Sequence, residues 1–382
     1  MDLMEYKVRE IYRQCRIPTK PGIVIDDLAE LADQTADLKY PLVVKAQVQV
    51  GGRGKAGGIR FAADLAELRQ ACQDIMGMEI KGHIIKKLMI VEKAEISQEW
   101  YLSLMLDRLS KSPVVIFSPR GGMDIEETAR NSPEQVLKAA IDPLIGVRDF
   151  LPRYLLSKCG LDLMYCEALF DLLKNLYLLF CQFDCTLVEI NPLATQENGR
   201  LLALDGKVTV DDSALYRQPE ILAFRDSLPE NDLVLAARKC NFLYIPCDPA
   251  GSIAVMSNGS GMIMSCIDLI SQAGMKVGSA LDLGGGATAD RIQEAIRISL
   301  ADSRIKALFI NIFGGITRCD EVAGGVRQAI SNLAGEQLIV VRFEGTNKEC
   351  GLEILGTIQG KVVAVDGLRE GIQVLDARRE SL

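Results

Sequence analysis

The sequence is short of positive charge. Lysine and arginine number 43 against 51 aspartates and glutamates, a formal net charge of −8 over 382 residues. No basic field exists to draw in nucleic acid or an anionic membrane surface, so an anionic ligand must be held by local donors. Paired cysteines are missing as well. Eleven cysteines are present, among them Cys15, Cys72, Cys181, Cys185, Cys266 and Cys319, with no CxxC pair and no regular spacing; they read as reduced, buried thiols of a cytoplasmic protein. Long hydrophobic runs are also lacking. The most apolar stretch, Leu172–Phe183, is broken by Lys174 and Asn175 and falls short of the roughly 20 residues a membrane span needs, so a core helix is expected there. No signal or transit peptide is expected before the first helix.

Two common nucleotide signatures are absent. The loop GGRGKAGG at Gly51–Gly58 does not follow the GxxxxGK(S/T) pattern of a P-loop, and neither it nor Gly284–Ala287 gives GxGxxG. Histidine is nearly absent too: His83 is the only one, lying in the basic stretch Lys81–Lys87 with no carboxylate beside it. It is expected to be structural or exposed. Chemistry through a phosphohistidine would therefore need an imidazole from another chain.

What is present is a large apolar fraction, 48% hydrophobic residues, enough for two or three domains with sizeable cores. From Ile253 onward, apolar strands near Ile253–Met256, Val277–Asp282, Ala307–Ile312, Leu338–Phe343 and Val362–Val365 alternate with amphipathic segments. That rhythm predicts βαβ units, a parallel sheet and a flavodoxin-like or Rossmann-like domain, with ligands beyond the carboxyl ends of its strands. Asn258–Gly261, Gly284–Gly286 and Gly314–Gly315 fall at those ends. The first part reads as a separate α+β domain. An opening helix puts Met4, Val8, Ile11, Tyr12 and Cys15 on one face, with Asp2 and Glu5 expected as an acidic cap. Further helices are expected at Asp64–Met76 and after Ser132. The pattern loses its strands near Pro229–Lys239, which gives expected domains of 1–235 and 236–382.

Two glycine-bearing strand ends have the make-up of anion sites. The first follows an expected strand Pro41–Val50 and carries Arg53 and Lys55 beside Gly52 and Gly54, so charged donors supplement amides that can approach a polyphosphate closely. Alternation puts Lys45, Gln47 and Gln49 opposite the apolar residues of that strand, with the Lys45 ammonium pointing out of the core. The second, NIFGGITRCD at Asn311–Asp320, opens a helix whose amides and dipole favour an anion. Asn198-Gly199 predicts a tight hairpin between Thr186–Ala194 and Leu201–Val210, bringing Asn191 nearly opposite Asp205. A carboxylate and an amide oxygen suit Mg²⁺, although a solvated hairpin face would carry the same residues. Glu92 and Glu99 are candidate ribose or metal contacts.

Over nearly its whole length the chain resembles the β subunits of succinyl-CoA synthetase, an ATP-grasp family. The resemblance rests on QVQVGGRGKAGG (Gln47–Gly58), GGMDIEE (Gly121–Glu127), LVEINPL (Leu187–Leu193), LALDGK (Leu202–Lys207), LYRQP (Leu215–Pro219), SNGSGM (Ser257–Met262), LDLGGGAT (Leu281–Thr288), NIFGGITRCD and EGTN (Glu344–Asn347). It implies an ATP-grasp domain of two subdomains followed by a flavodoxin-like CoA-ligase domain that docks on an α subunit bearing CoA and the phosphorylated histidine. It further implies ATP/ADP (or GTP/GDP) and Mg²⁺ as ligands, a reversible NDP-forming succinate–CoA ligation of the tricarboxylic acid cycle, and assembly as a heterodimer or heterotetramer. Carried onto this chain, Lys45, Gly52, Arg53, Gly54, Glu92, Glu95 and Glu99 match nucleotide contacts, and Asn191 and Asp205 match Mg²⁺ ligands. Asn258, Gly315, Ile316 and Thr317 match positions near substrate and phosphohistidine, and Glu189 matches the acid approaching the partner's histidine. The pattern departs at Gln49, where many members have histidine, in a shortened Lys81–Lys87 segment, and at Arg120, where succinate-type chains commonly carry an acid. A malate–CoA ligase or another NDP-forming acyl-CoA synthetase thus stays open as substrate class. A non-catalytic nucleotide-binding subunit and a nicotinamide-dependent oxidoreductase stand as readings of other kinds.

Overall fold

The computed structural model describes residues 1–50, 52–332, 337–358 and 362–379. It divides into two compact units, Met1–Ser227 and Leu228–Leu382.

The strands of the first unit are β1 (Gly22–Ile25), β2 (Leu42–Ala46), β3 (Ile59–Ala62), β4 (Glu79–Ile80), β5 (His83–Ile84), β6 (Leu88–Glu92), β7 (Gln98–Asp107), β8 (Ser112–Ser118), β9 (Leu137–Ala140), β10 (Cys185–Thr195), β11 (Leu201–Ala203) and β12 (Gly206–Val210). They form two antiparallel sheets, β1-β6-β2-β3 and β11-β10-β7-β8-β9 with β12 also on β10, plus the small β4-β5 pair. In the first sheet Leu42, Val44 and Ala46 share a core with Leu68, Cys72 and Ile75 of the helix Leu65–Ile75. Asp64 caps that helix by accepting from the Glu67 amide, while Glu67 accepts from the amide of Ala63, one residue before the cap. Against the second sheet lies the helix Cys166–Gln182, which buries Leu169, Leu172, Leu173, Leu176, Leu179 and Phe180. Trp100 on β7 is fully buried, edge-on to Phe117 and Tyr165 with ring centroids 5.5 and 5.1 Å away.

Several local expectations are corrected. β2 ends at Ala46, so Gln47–Val50 lie beyond the strand. The segment after Ser132 makes only a short 3₁₀ turn, Pro133–Gln135, before β9, because Leu137–Ala140 gains ladder partners on β8. The return of the hairpin is broken into β11 and β12 at Leu204–Asp205. Asp2 does not cap the first helix, Glu5–Gln14; it bridges to Thr209 and takes Lys207 as an ion partner. All eleven thiols are free, but only Cys72, Cys185, Cys266 and Cys319 are buried, and Cys181 and Cys350 are exposed.

The second unit contains β13 (Leu243–Pro246), β14 (Ile253–Ser257), β15 (Val277–Asp282), β16 (Ala307–Gly314), β17 (Leu338–Gly345) and β18 (Val362–Val365), ordered β13-β15-β14-β16-β17-β18. The last five strands are parallel, at the expected places; β13 is an antiparallel edge strand that the sequence reading omits. Alternate residues serve opposite faces. Met256, Ile310 and Val341 join one core under the helices Ala289–Leu300, Cys319–Asn332 and Lys348–Gly356, whereas Val255, Phe309 and Val340 join another under Ser260–Gln272 and Leu368–Asp376. Chain order reverses at β14, which has β15 on one side and β16 on the other. In such sheets the crevice beyond this switch point is where ligands bind.

Candidate nucleotide site

Around β2 the first unit buries charge. Lys45, expected to point out of the core, is 7% exposed and donates to Glu5 Oε1 at 2.7 Å and to the Leu204 carbonyl at 2.8 Å. Arg53 is 9% exposed: its Nη1 donates to Glu5 Oε2 at 2.6 Å and to the Ala46 carbonyl at 3.1 Å, and its Nη2 bridges both oxygens of Asp205 at 2.9 and 3.0 Å. Two cations and two carboxylates thus meet between the first helix, β2, the glycine loop and the turn before β12. Burial alone raises the Glu5 carboxyl, yet the charges of Lys45 and Arg53 outweigh it and hold the pKa at about 2. Burial and the neighbouring Glu5 charge instead raise the Asp205 carboxyl, against the pull of Lys45 and Arg53.

Gly52 follows Gly51, which lies outside the described residues, and adopts φ +81°, a conformation that suits glycine. Gly54 and Lys55 are exposed. Glu92 ends β6 and accepts from the Lys39 amide at 3.1 Å, with Lys20 at 3.9 Å, so its partners lie outside the Lys45–Arg53 cluster. Glu95 and Glu99 are exposed.

On β10 the backbone of Asn191 does meet Asp205, its amide donating to the Asp205 carbonyl at 3.2 Å. The side chains part company there. Asn191 accepts from the Gly122 amide at 2.7 Å and donates to the Met123 carbonyl at 3.0 Å, while Asp205 faces Arg53. The donor chemistry fits Mg²⁺: a carboxylate and an amide oxygen, rooted on facing residues, leave positions for phosphate oxygens. Two residues earlier, Glu189 accepts from the Tyr101 hydroxyl at 3.3 Å, and burial raises its carboxyl. Its carbonyl accepts from the buried Tyr12 hydroxyl at 2.9 Å. His83 is exposed on the two-residue strand β5.

In the second unit the switch-point residues converge. Asn258, just after β14, donates to the Phe313 carbonyl at 2.9 Å and accepts from its amide at 3.1 Å. Thr317 is buried, accepts from the Gly286 amide at 3.0 Å and donates to the Gly284 carbonyl at 3.4 Å. Gly315 and Ile316 are exposed. The following helix starts at Cys319, and its first amide is taken by the Thr346 carbonyl at 3.0 Å, so that donor is committed within the protein.

Sequence reasoning misses Glu5, whose role becomes visible only when residues 40 and 48 positions away fold onto it. It also misses the hold of Gly122 and Met123 on Asn191.

Two antiparallel sheets with a buried cluster of two cations and two carboxylates, followed by a parallel switch-point domain, are the construction of a nucleotide-dependent ligase of ATP-grasp and CoA-ligase type. The ATP-grasp domain model matches residues 2–195 and the CoA-ligase model residues 256–369. The ADP-forming succinate–CoA ligase subunit beta of Alkaliphilus oremlandii is 38% identical over 379 residues, 97% of this chain and 98% of that one. Its counterpart from Rubrobacter xylanophilus is 40% identical over 355 residues, 93% of this chain and 92% of that one. The chain belongs to the succinate–CoA ligase β-subunit family. A solved ATP citrate lyase from Methanothrix soehngenii, in complex with citrate and coenzyme A, covers 99% of both chains with a TM-score of 0.77 at 19% identity, a likeness of fold. Among the described residues no helix is long and apolar enough to cross a membrane.

Proposed function

We propose that this chain is the nucleotide-binding half of a succinate–CoA ligase, passing a phosphoryl group between a nucleoside triphosphate and a histidine supplied by an α subunit that also carries CoA. The observation that carries the reading is the pairing of a buried Lys45–Arg53 cluster with a chain whose single histidine, His83, is exposed on a short strand. Arg53, once released from Asp205, has a guanidinium nitrogen to offer a phosphate, and in this reading the acceptor imidazole comes from the partner. The names of the relatives above support both the α partner and succinate as the acid. Domains of 1–235 and 236–382, and a place in the cytoplasm, belong to the same reading.

In this reading Lys45 and Arg53 lie against the phosphates, with Gly52 and Gly54 admitting backbone amides, and Glu92, Glu95 and Glu99 border the nucleotide. Asn191 and Asp205 hold Mg²⁺. The metal supplies charge neutralisation on the phosphate oxygens. Glu189, whose raised carboxyl keeps a proton more readily than an exposed glutamate, orients the incoming imidazole of the partner. Asn258, Gly315, Ile316 and Thr317 form the corresponding contact region of the second unit.

The test is to purify the chain with its cognate α subunit and assay succinate and malate, each with ATP and GTP. Succinyl-CoA formation with label from γ-phosphate recovered on the partner is expected. Stable label on His83, or no acyl-CoA from any acid, defeats the reading; preference for malate changes only the substrate.

A further inference from the structure

Glu5 has no counterpart among the nucleotide and metal contacts assigned above, yet it sits at their centre. Its carboxylate is 3% exposed, with one oxygen committed to Lys45 and the other to Arg53. Arg53 in turn divides itself between two acids: Nη1 serves Glu5 and the Ala46 carbonyl, and Nη2 straddles the two Asp205 oxygens. Asp205 Oδ1 also accepts from the Gly206 amide at 2.9 Å, so both positions on Oδ1 and one on Oδ2 are taken, two of the three by the guanidinium.

We propose that Glu5 is a positioning residue that decides whether Asp205 is free to hold a divalent cation, by giving Lys45 and Arg53 an anionic partner of their own. This rests on the proposed role of Asp205 as a metal ligand. A cation approaching Asp205 meets a guanidinium on the same two oxygens, and like charges at that range compete for the carboxylate. Release of Arg53 from Asp205 is tolerable only if it keeps a partner, because a guanidinium left alone in a buried site is strongly disfavoured. Glu5 and the Ala46 carbonyl supply that partner. Without Glu5, Arg53 and Lys45, the latter already bonded to the carbonyl preceding Asp205, have Asp205 as their shared anion. The carboxylate is then locked against metal. A Glu5 that merely balanced charge would affect stability and leave the metal requirement alone.

The experiment titrates Mn²⁺ into the full-length protein without nucleotide, so that loss of a phosphate contact by Arg53 does not enter, and reads bound metal by electron paramagnetic resonance. Glu5→Gln is expected to raise the Mn²⁺ concentration for half-saturation by about tenfold, a size in keeping with the loss of one buried charge partner. Arg53→Gln shifts it the other way, below wild type, and Glu5→Gln combined with Arg53→Gln returns it toward wild type. If Glu5→Gln does not fold, Arg53→Gln alone decides. A folded Glu5→Gln with an unchanged metal requirement, or an Arg53→Gln variant binding Mn²⁺ no more tightly than wild type, overturns the inference. Asp205→Asn separates the two layers. If it leaves Mn²⁺ binding intact, the metal-ligand reading itself falls; if it abolishes binding while the Glu5 and Arg53 variants shift nothing, only the role of Glu5 does.

Discussion

Gly122 donates its amide to Asn191 Oδ1 at 2.7 Å, and the next residue accepts from the other end of the same side chain. Donor and acceptor together fix which end of the Asn191 amide is oxygen. Gly122 has φ +71°, and a Cβ there would lie 2.5 Å from Glu99 Oε2. Gly122→Ala therefore costs roughly 1 kcal/mol in backbone strain and pushes the loop off Asn191. Mg-ADP affinity measured by calorimetry should fall several-fold with a small change in melting temperature. Equal affinity would show that the loop does not set Asn191.

Gly206, at the start of β12, packs against Tyr12 of the first helix. A Cβ at this position would sit 2.6 Å from the Tyr12 hydroxyl and 2.7 Å from its ring, and Tyr12 is 1% exposed. Gly206→Ala is expected to destabilise the protein by about 1–3 kcal/mol through overpacking. Tyr12→Phe, which removes only the bond to the Glu189 carbonyl, should cost about 1 kcal/mol. Urea denaturation distinguishes the two; equal losses would place the contact elsewhere.

Acid should expose the buried cluster. Glu5 titrates at about 2 when folded against an ordinary value of 4.5. The unfolded chain therefore binds more protons between those values, and stability falls as pH drops through that window. Above about 4.5 the contribution is complete. Chemical unfolding measured from pH 3 to 6 should show this slope, and Glu5→Gln should flatten it. An unchanged slope in the variant would assign the acid sensitivity to other carboxylates.

In the second unit Thr317 ties the Gly284–Gly286 turn to the loop after β16. Thr317→Val keeps the volume and breaks both bonds, at a cost of about 1–3 kcal/mol for the unpaired buried groups. Thr317→Ser retains the hydroxyl and both bonds, so its loss should be the smaller one, about 1 kcal/mol for the buried methyl. A Thr317→Val protein as stable as wild type would mean that the turn holds without it.

Most of the second unit is legible in the sequence because its central parallel strands are buried on both faces and read as apolar runs, as at Ala307–Ile312. β13 is not. Four residues ending in Pro246, three of them exposed, carry no such run. In the first unit Asn198-Gly199 announces its turn chemically, and Asp64 its cap. Glu5 defeats local reading: at a helix start an acid looks like a partner for the dipole, and only long-range folding shows that Lys45 and Arg53 claim it. For Lys45 only the burial is hidden. Alternation correctly separates it from the apolar face, but it cannot show that a second layer covers the polar one.

β13 has one consequence for how the molecule keeps to itself. Cys247, just past it, turns its amide inward to the Gly278 carbonyl. In an antiparallel ladder the next residue back, Pro246, therefore presents its nitrogen to the outer border, where it has no hydrogen to offer. A stray extended peptide seeking to lengthen the sheet there finds a missing rung, so this edge is a poor template for fibrous self-association despite the exposed Leu243 and Ile245 beside it.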